Sequence, residues 1–218
     1  MEAPERSVIT AIEPQVRRPD RVSVFVDGEF ALGMHAEVAA MSRLRVGQAV
    51  SVTELQELAR AEELRQARES ALQLLGYRAR SRKELQQRLA RKGYEPELIE
   101  EALDLLERSG LINDAEFSQE WVRARTGGRP MGRTRIAAEL RQKGVDRELI
   151  DEALERVDPD QELGLALRVG RQKIEQLHGE DPPTLKRKLS AALVRRGFGW
   201  EISAKVLDIL LKESDSFE

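Results

Sequence analysis

The 218-residue chain has no cysteine, which excludes disulfides and thiolate metal sites and suits a reducing cytoplasm. Aromatic residues make up only 4% and β-branched runs are few, so a β-sandwich is disfavoured and helices are favoured. The two histidines, His35 and His178, have no partner at metal-ligand spacing and no serine or cysteine nucleophile in a recognisable motif. No apolar run approaches the roughly 18 residues of a membrane span. Met1 to Pro14 lacks the basic–apolar–small order of a secretion signal. Residues 127–132 hold glycines but no Lys-Ser/Thr, and no apolar strand precedes them, so an inter-helix loop is expected rather than a Walker loop. The many carboxylates sit at solvated helix spacings, not as an acid/base pair. The expectation is a protein without catalytic residues, metal or cofactor. The formal net charge is −3, so any attraction to nucleic acid has to come from local patches.

What the chain does have is a phrase that returns. Leu85, Leu89 and Gly93 match Ile136, Leu140 and Gly144, then Leu189, Leu193 and Gly197. In each copy two apolar residues lie four apart and the glycine follows four later. The glycines are 51 and 53 residues apart. The match continues past them: Leu98, Leu103 and Leu106 align with Leu149, Leu154 and Val157, then with Ile202, Leu207 and Leu210. A repeat of this length is one helical supersecondary unit stacked on its neighbours.

Before the repeats, residues 7–17 and 21–32 read as β, with Val22, Val24 and Val26 at strand period. Asp27-Gly28 marks a hairpin, and Arg17 to Asp20 an earlier turn. Met34 to Met41 reads as a short helix and Val46 to Val52 as a last strand. This makes a small antiparallel sheet of three or four strands over residues 1–52, which the recurring helical core makes dispensable for folding. Thr53 to Gln56 fits a capping box opening a long helix to about Tyr77, and Ser81 to Glu84 fits a second. Further helices are expected at about 96–108, from Asn113-Asp114, at 133–143, 146–157, from Asp158-Pro159, at 184–196 and at 199–212. Residues 179–183 are read as loop. The expected domains are 53–110, 111–157 and 158–213 as three three-helix repeats, followed by a frayed tail at 214–218. Gly93, Gly144 and Gly197 are expected as left-handed caps with φ > 0. Trp121 and Trp200 are expected in the core.

Charge alternates between helices within a repeat. Residues 78–93 carry seven basic residues against Glu84 alone, whereas 95–108 carry six acids against Arg108. In the second repeat Arg129, Arg133, Arg135, Arg141 and Lys143 stand against Glu139, and the next helix is acidic. In the third, Lys186, Arg187, Lys188, Arg195 and Arg196 have no acid among them. One reading is intramolecular pairing, with arginines meeting Glu97, Glu100 or Asp151. The other is a basic track built from one helix per repeat, able to follow phosphates or an acidic protein groove. Its candidate contact residues are Arg82, Lys83, Arg88, Arg91, Arg133, Arg135, Arg141, Lys186, Arg187 and Arg195.

The run Ala71-Leu72, Arg78-x-Arg80-Ser81-x-x-Glu84-Leu85, Leu89-x-x-Lys92-Gly93-Tyr94, Gly110-Leu111-Ile112-Asn113-Asp114 and Phe117 resembles the RecX regulatory proteins. Ile136-x-x-Glu139-Leu140-x-x-Lys143-Gly144-Val145 continues the likeness, and Val26 to Phe30 resembles a hairpin of many members. The third repeat departs from the pattern, with Phe198-Gly199-Trp200 replacing the acidic start of its last helix. The resemblance implies a mainly α chain: three tandem three-helix repeats in an elongated, curved array behind an N-terminal β-hairpin region. It implies binding to the filament of the RecA recombinase on DNA and suppression of its ATP hydrolysis, strand exchange and co-protease activity; a monomer is expected. It carries over no catalytic residue and does not say which side chains touch RecA. Two other readings stay open: a sequence-independent DNA-binding protein of helix-turn-helix-like units, and a helical scaffold for an unrelated protein. The acidic third helices argue against base reading.

Overall fold

The structure is a computed structural model and describes residues 7–128, 130–177 and 179–215. Arg129, His178 and the end of the tail, with the readings made for them, lie outside the described residues. In chain order the elements are β1 (Ser7–Gln15), β2 (Arg18–Val26), β3 (Glu29–His35), α1 (Ala36–Met41), β4 (Ala49–Val50), α2 (Val52–Tyr77), α3 (Arg82–Arg91), α4 (Pro96–Arg108), α5 (Asp114–Thr126), α6 (Arg133–Gln142), α7 (Arg147–Glu155), α8 (Pro159–Gln176), α9 (Pro182–Arg195) and α10 (Trp200–Asp215). The chain is mainly helical from residue 52 onward. Two compact units emerge, one of residues 1–77 and 86–109, the other of 78–85 and 110–218. The division passes through α3.

In the N-terminal unit the strands form an antiparallel sheet in the order β3-β2-β1-β4. The expected turn at 17–20 lies earlier, at Val16-Arg17, and Pro19 belongs to β2. Pro19 fits there because it falls in the register shift between Pro14↔Val22 and Gln15↔Arg18, where its missing N–H leaves no ladder bond unmade. The last strand shrinks to two residues, and Met34 ends up in β3 rather than in the helix. Ile9, Val24, Met34, Val38, Val50 and Leu58 form the core between sheet and α2.

The helix start expected at Thr53 comes slightly earlier. Ser51 is the cap: its Oγ accepts from the Glu54 amide at 3.2 Å, and the Glu54 carboxylate accepts from the Ser51 amide at 2.7 Å. One buried group escaped the sequence reading. Glu62 on α2 is 3% exposed and holds the sheet to the helix. It takes Arg21 Nη1 at 2.5 Å, the His35 amide at 2.9 Å, Gln66 at 2.7 Å and Arg65 at 3.2 Å. Burial pushes its pKa up, but the hydrogen bonds from Arg65, His35, Gln66 and Arg21 outweigh it and hold the carboxyl at about 2.

The repeated phrase packs as the core of each repeat. Leu85, Leu89, Ile136, Leu140, Leu189 and Leu193 are all at most 1% exposed. The three glycines have φ of 90°, 73° and 83°, as expected. Each ends its helix in the same pair of bonds. Gly93 N–H reaches Ala90 O and Tyr94 N–H reaches Leu89 O; Gly144 and Val145, then Gly197 and Phe198, repeat the pattern. The segment read as loop at 179–183 already contains the start of α9. Asp181 Oδ2 accepts from the Thr184 amide at 3.0 Å, and Pro182 and Pro183 fill the first turn, where proline loses no helical bond.

Candidate interaction surface on the basic helices

In the C-terminal unit the first turns of α3 and α6 each meet the glycine-capped end of the next repeat's middle helix. At the first junction Ser81 Oγ donates to Lys143 O at 2.5 Å. The Arg82 amide donates to Asp114 Oδ1 at 2.8 Å. Lys143 Nζ donates to Glu84 Oε1 at 2.9 Å, and Arg78 Nη2 donates to the same oxygen at 3.0 Å. Burial raises the Glu84 pKa, but Arg78 and Lys143 outweigh it and hold the carboxyl at about 2. The Lys143 ammonium lies 4.2 Å from the centre of the Trp121 ring, and the Arg125 guanidinium lies 4.1 Å from it. Trp121 is therefore half core and half cation platform, with Nε1 donating to Glu139 at 3.0 Å.

The second junction repeats the arrangement with other groups. The Gly132 amide donates to Arg196 O at 2.8 Å, and the Arg133 amide to Glu162 Oε1 at 3.0 Å. Arg135 Nη1 donates to Arg195 O at 2.8 Å, and Arg196 Nη1 to Pro130 O at 3.2 Å. These contacts pin Pro130 and Gly132, in a segment that sequence reading treats as a plain connection. Arg168 Nη2 adds a bond to Gly127 O at 3.0 Å.

The ten nominated cations fall into two groups. Arg82 and Arg133 are half-buried, their backbone amides used at the junctions. Lys83, Arg88, Arg91, Arg135, Arg141, Lys186, Arg187 and Arg195 are exposed. Arg135 pairs with Glu139 at 3.6 Å. Among the described residues, Arg88, Arg91, Arg141, Lys186, Arg187 and Arg195 have no acid within ion-pair distance. The acids proposed to neutralise the track are engaged elsewhere in part: Asp151 takes Arg147 at 3.4 Å, and Glu100 takes Gln86 at 2.5 Å.

Arg135 and Arg195 also share a hollow of about 360 Å³ with Lys173 and Arg196. Lys173, on α8, was not foreseen, because nothing in its local pattern separates it from an ordinary exposed helix lysine. Trp200 is a correction: it is 82% exposed, not core. It begins α10, directly after Phe198 has filled the core position, and the first turn faces water. Among the described residues no three acids or histidines cluster as a metal site, and no helix is long and apolar enough to cross a membrane.

Four family models match this chain: the regulatory protein RecX N-terminal domain at residues 7–51, and the first, second and third RecX three-helix domains at 67–106, 113–154 and 160–207. The chain belongs to the RecX family. Among its relatives, regulatory protein RecX of Clostridioides difficile (strain 630) is 30% identical over 204 residues, covering 94% of this chain and 96% of its own. That of Amycolatopsis mediterranei (strain U-32) is 38% identical over 157 residues, or 72% and 90%. A crystal structure of regulatory protein RecX shares the fold, with a TM-score of 0.78 at 24% identity over 93% of this chain and 99% of that one. A second, of RecX from Lactobacillus salivarius, has a TM-score of 0.64 at 22% identity over 69% and 97%. The RecX three-helix domains thus fall on the helices that carry the repeated phrase.

Proposed function

We propose that this RecX-family chain acts, as a monomer in the cytoplasm, on the RecA–DNA filament, and that it suppresses RecA ATP hydrolysis, strand exchange and co-protease activity. The observation that carries the reading is the join between equivalent basic helices. The first turn of α3 meets the end of α6, and the first turn of α6 meets the end of α9. Joins of this kind support a reading in which exposed cations of α6 and α9 act together on a long, regular, negatively charged partner. Exposed cations such as Arg141, Arg187 and Arg195, without acids of their own, keep their charge available to such a partner.

The test compares RecA ATPase on single-stranded DNA with and without the chain, and with a variant in which Arg141, Arg187 and Arg195 become Glu. The wild type should inhibit, less so as salt rises. The variant should melt close to wild type, since exposed charges contribute only about 0–1 kcal/mol each, yet lose inhibition. A variant that melts normally and inhibits fully would sink the track. The hollow of Arg135, Lys173, Arg195 and Arg196 favours one second reading, direct binding to DNA phosphates. A steep salt dependence of binding to bare DNA, with no effect on RecA, would favour it.

A further inference from the structure

A second surface lies on other helices, α5, α7 and the N-terminal half of α8. They enclose an open cleft of about 560 Å³. Its apolar part comes from Val122, Ala153, Val157 and Leu165. Arg123, Arg156 and Arg168 also line it, all exposed, and its lining contains no acidic side chain. Two of the arginines are held in place. Arg156 Nη1 donates to Gln119 Oε1 at 2.8 Å, and Arg168 Nη2 to Gly127 O at 3.0 Å. Neither bond neutralises the cation.

Gly164 is the second observation. It sits inside α8 without a positive φ, and a Cβ there would meet nothing within 4 Å. Glycine weakens a helix interior, so such a position normally has a packing reason. Gly170, on the same helix, has one, since a Cβ there would stand 2.5 Å from Leu210 Cδ1. Gly164 has none among the described residues. What its missing side chain does is leave the cleft open.

We propose that this cleft binds an acidic segment of a partner protein, seating one apolar side chain against Val122, Val157 and Leu165 while the carboxylates meet Arg123, Arg156 and Arg168. A concave apolar pocket with guanidinium groups around it suits such a peptide better than a nucleic-acid backbone, which has no apolar side chain to bury. None of the ten track cations lines the cleft, so the site is separable from the one above.

The probe is a fluorescein-labelled ten-residue peptide of glutamates with two central leucines, titrated by fluorescence anisotropy against the full chain. Saturable binding that weakens with salt is expected. Gly164→Phe, which fills the cleft while leaving all three arginines in the sequence, should weaken binding by about tenfold or more and leave the melting curve intact. Arg123→Glu should do the same through charge, and serves as the second variant if Gly164→Phe fails to fold. An all-glutamate peptide should bind about tenfold more weakly than the probe. A Kd for the probe weaker than about 1 mM would overturn the proposal. So would unchanged affinity in the variants, or equal binding of the all-glutamate peptide. Displacement of the probe by an oligothymidine of the same length, at lower concentration than the unlabelled peptide, would reassign the cleft to nucleic acid.

Discussion

At the first junction Ser81, Glu84 and Lys143 accomplish with side chains what Gly132 and Arg196 accomplish with backbone at the second. In both, a first-turn amide is satisfied by an acid from the next repeat's leading helix, Asp114 in one and Glu162 in the other. The difference lies in how closely the helices approach. At Gly144 an added Cβ would stand 2.4 Å from Lys83 Cβ and Cγ, atoms of a side chain. At Gly197 it would stand 2.2 Å from Arg135 Cβ and 2.5 Å from its backbone nitrogen. Gly93 has the same backbone conformation and nothing within 4 Å. Three glycines of one motif thus answer to different constraints. All three need the left-handed turn; two also need the space.

That contrast sets an order of damage. Gly197→Ala should be the worst, about 3–5 kcal/mol in urea unfolding, because left-handed strain adds to a clash with backbone that cannot step aside. Gly144→Ala should cost somewhat less, about 2–4 kcal/mol, because the added Cβ meets Lys83 Cβ and Cγ but no main-chain atom, and only Cγ can turn away. Equal losses at the two sites would show that the close approach is softer than the geometry says.

Ser81→Ala comes next. It removes both a helix cap and the hydroxyl that satisfies Lys143 O, and should cost about 1–3 kcal/mol. Its counterpart is informative: Gly132 reaches Arg196 O through the main-chain N–H, so no side-chain deletion removes that bond. Amide hydrogen exchange in the first turn of α3 should rise in Ser81→Ala while that of α6 stays unchanged. A rise at both would mean the two junctions open together.

Gly93→Ala should cost only the conformational strain, about 1–2 kcal/mol. A loss as large as that at Gly197 would sink the argument from close approach.

A last test is a pH dependence confined to the first junction and read as a change in fluorescence. The Glu84 pKa is about 2 in the fold and near 4.5 when free, so its contribution is complete above about pH 4.5. It is lost progressively as pH falls through about 2. In a Trp200→Phe background, Trp121 reports on this through the Lys143 ammonium over its ring. Its emission should shift over that interval. Glu84→Gln should show the shifted emission already at neutral pH. A titration unchanged by Glu84→Gln would assign the signal to Glu139, whose carboxyl also touches Trp121 and is likewise depressed.

Much of the helical architecture was legible because its signals are local. The glycine caps, Asn113, Asp158 and the Ser81 cap were all placed from a few neighbouring residues. The misreadings occurred where two local signals competed. Pro19 looked like a turn but sits in a bulge, and Pro182-Pro183 looked like a loop but opens a helix. Thr53 could cap a helix, but Ser51 does so. Of the candidate surface, the charge pattern named the helices that carry cations. It could not separate Arg82 and Arg133, drawn into the junctions, from Arg141 or Arg187, which stay exposed.

The sequence by itself determined most helix ends of the repeats, and the inward face of the repeated Leu/Ile–Leu phrase. A cap is a matter of a few consecutive dihedrals and hydrogen bonds, and an apolar stripe is a matter of helical period. Only the tertiary structure decided that Glu62 is buried between sheet and helix, that Trp200 stands in water, and that Lys173 joins Arg135, Arg195 and Arg196 around one hollow. It alone shows that Gly164 lines a cleft, with nothing within 4 Å of where a Cβ would stand. The burial and company of a side chain are set by elements far away along the chain, and no local pattern carries that information.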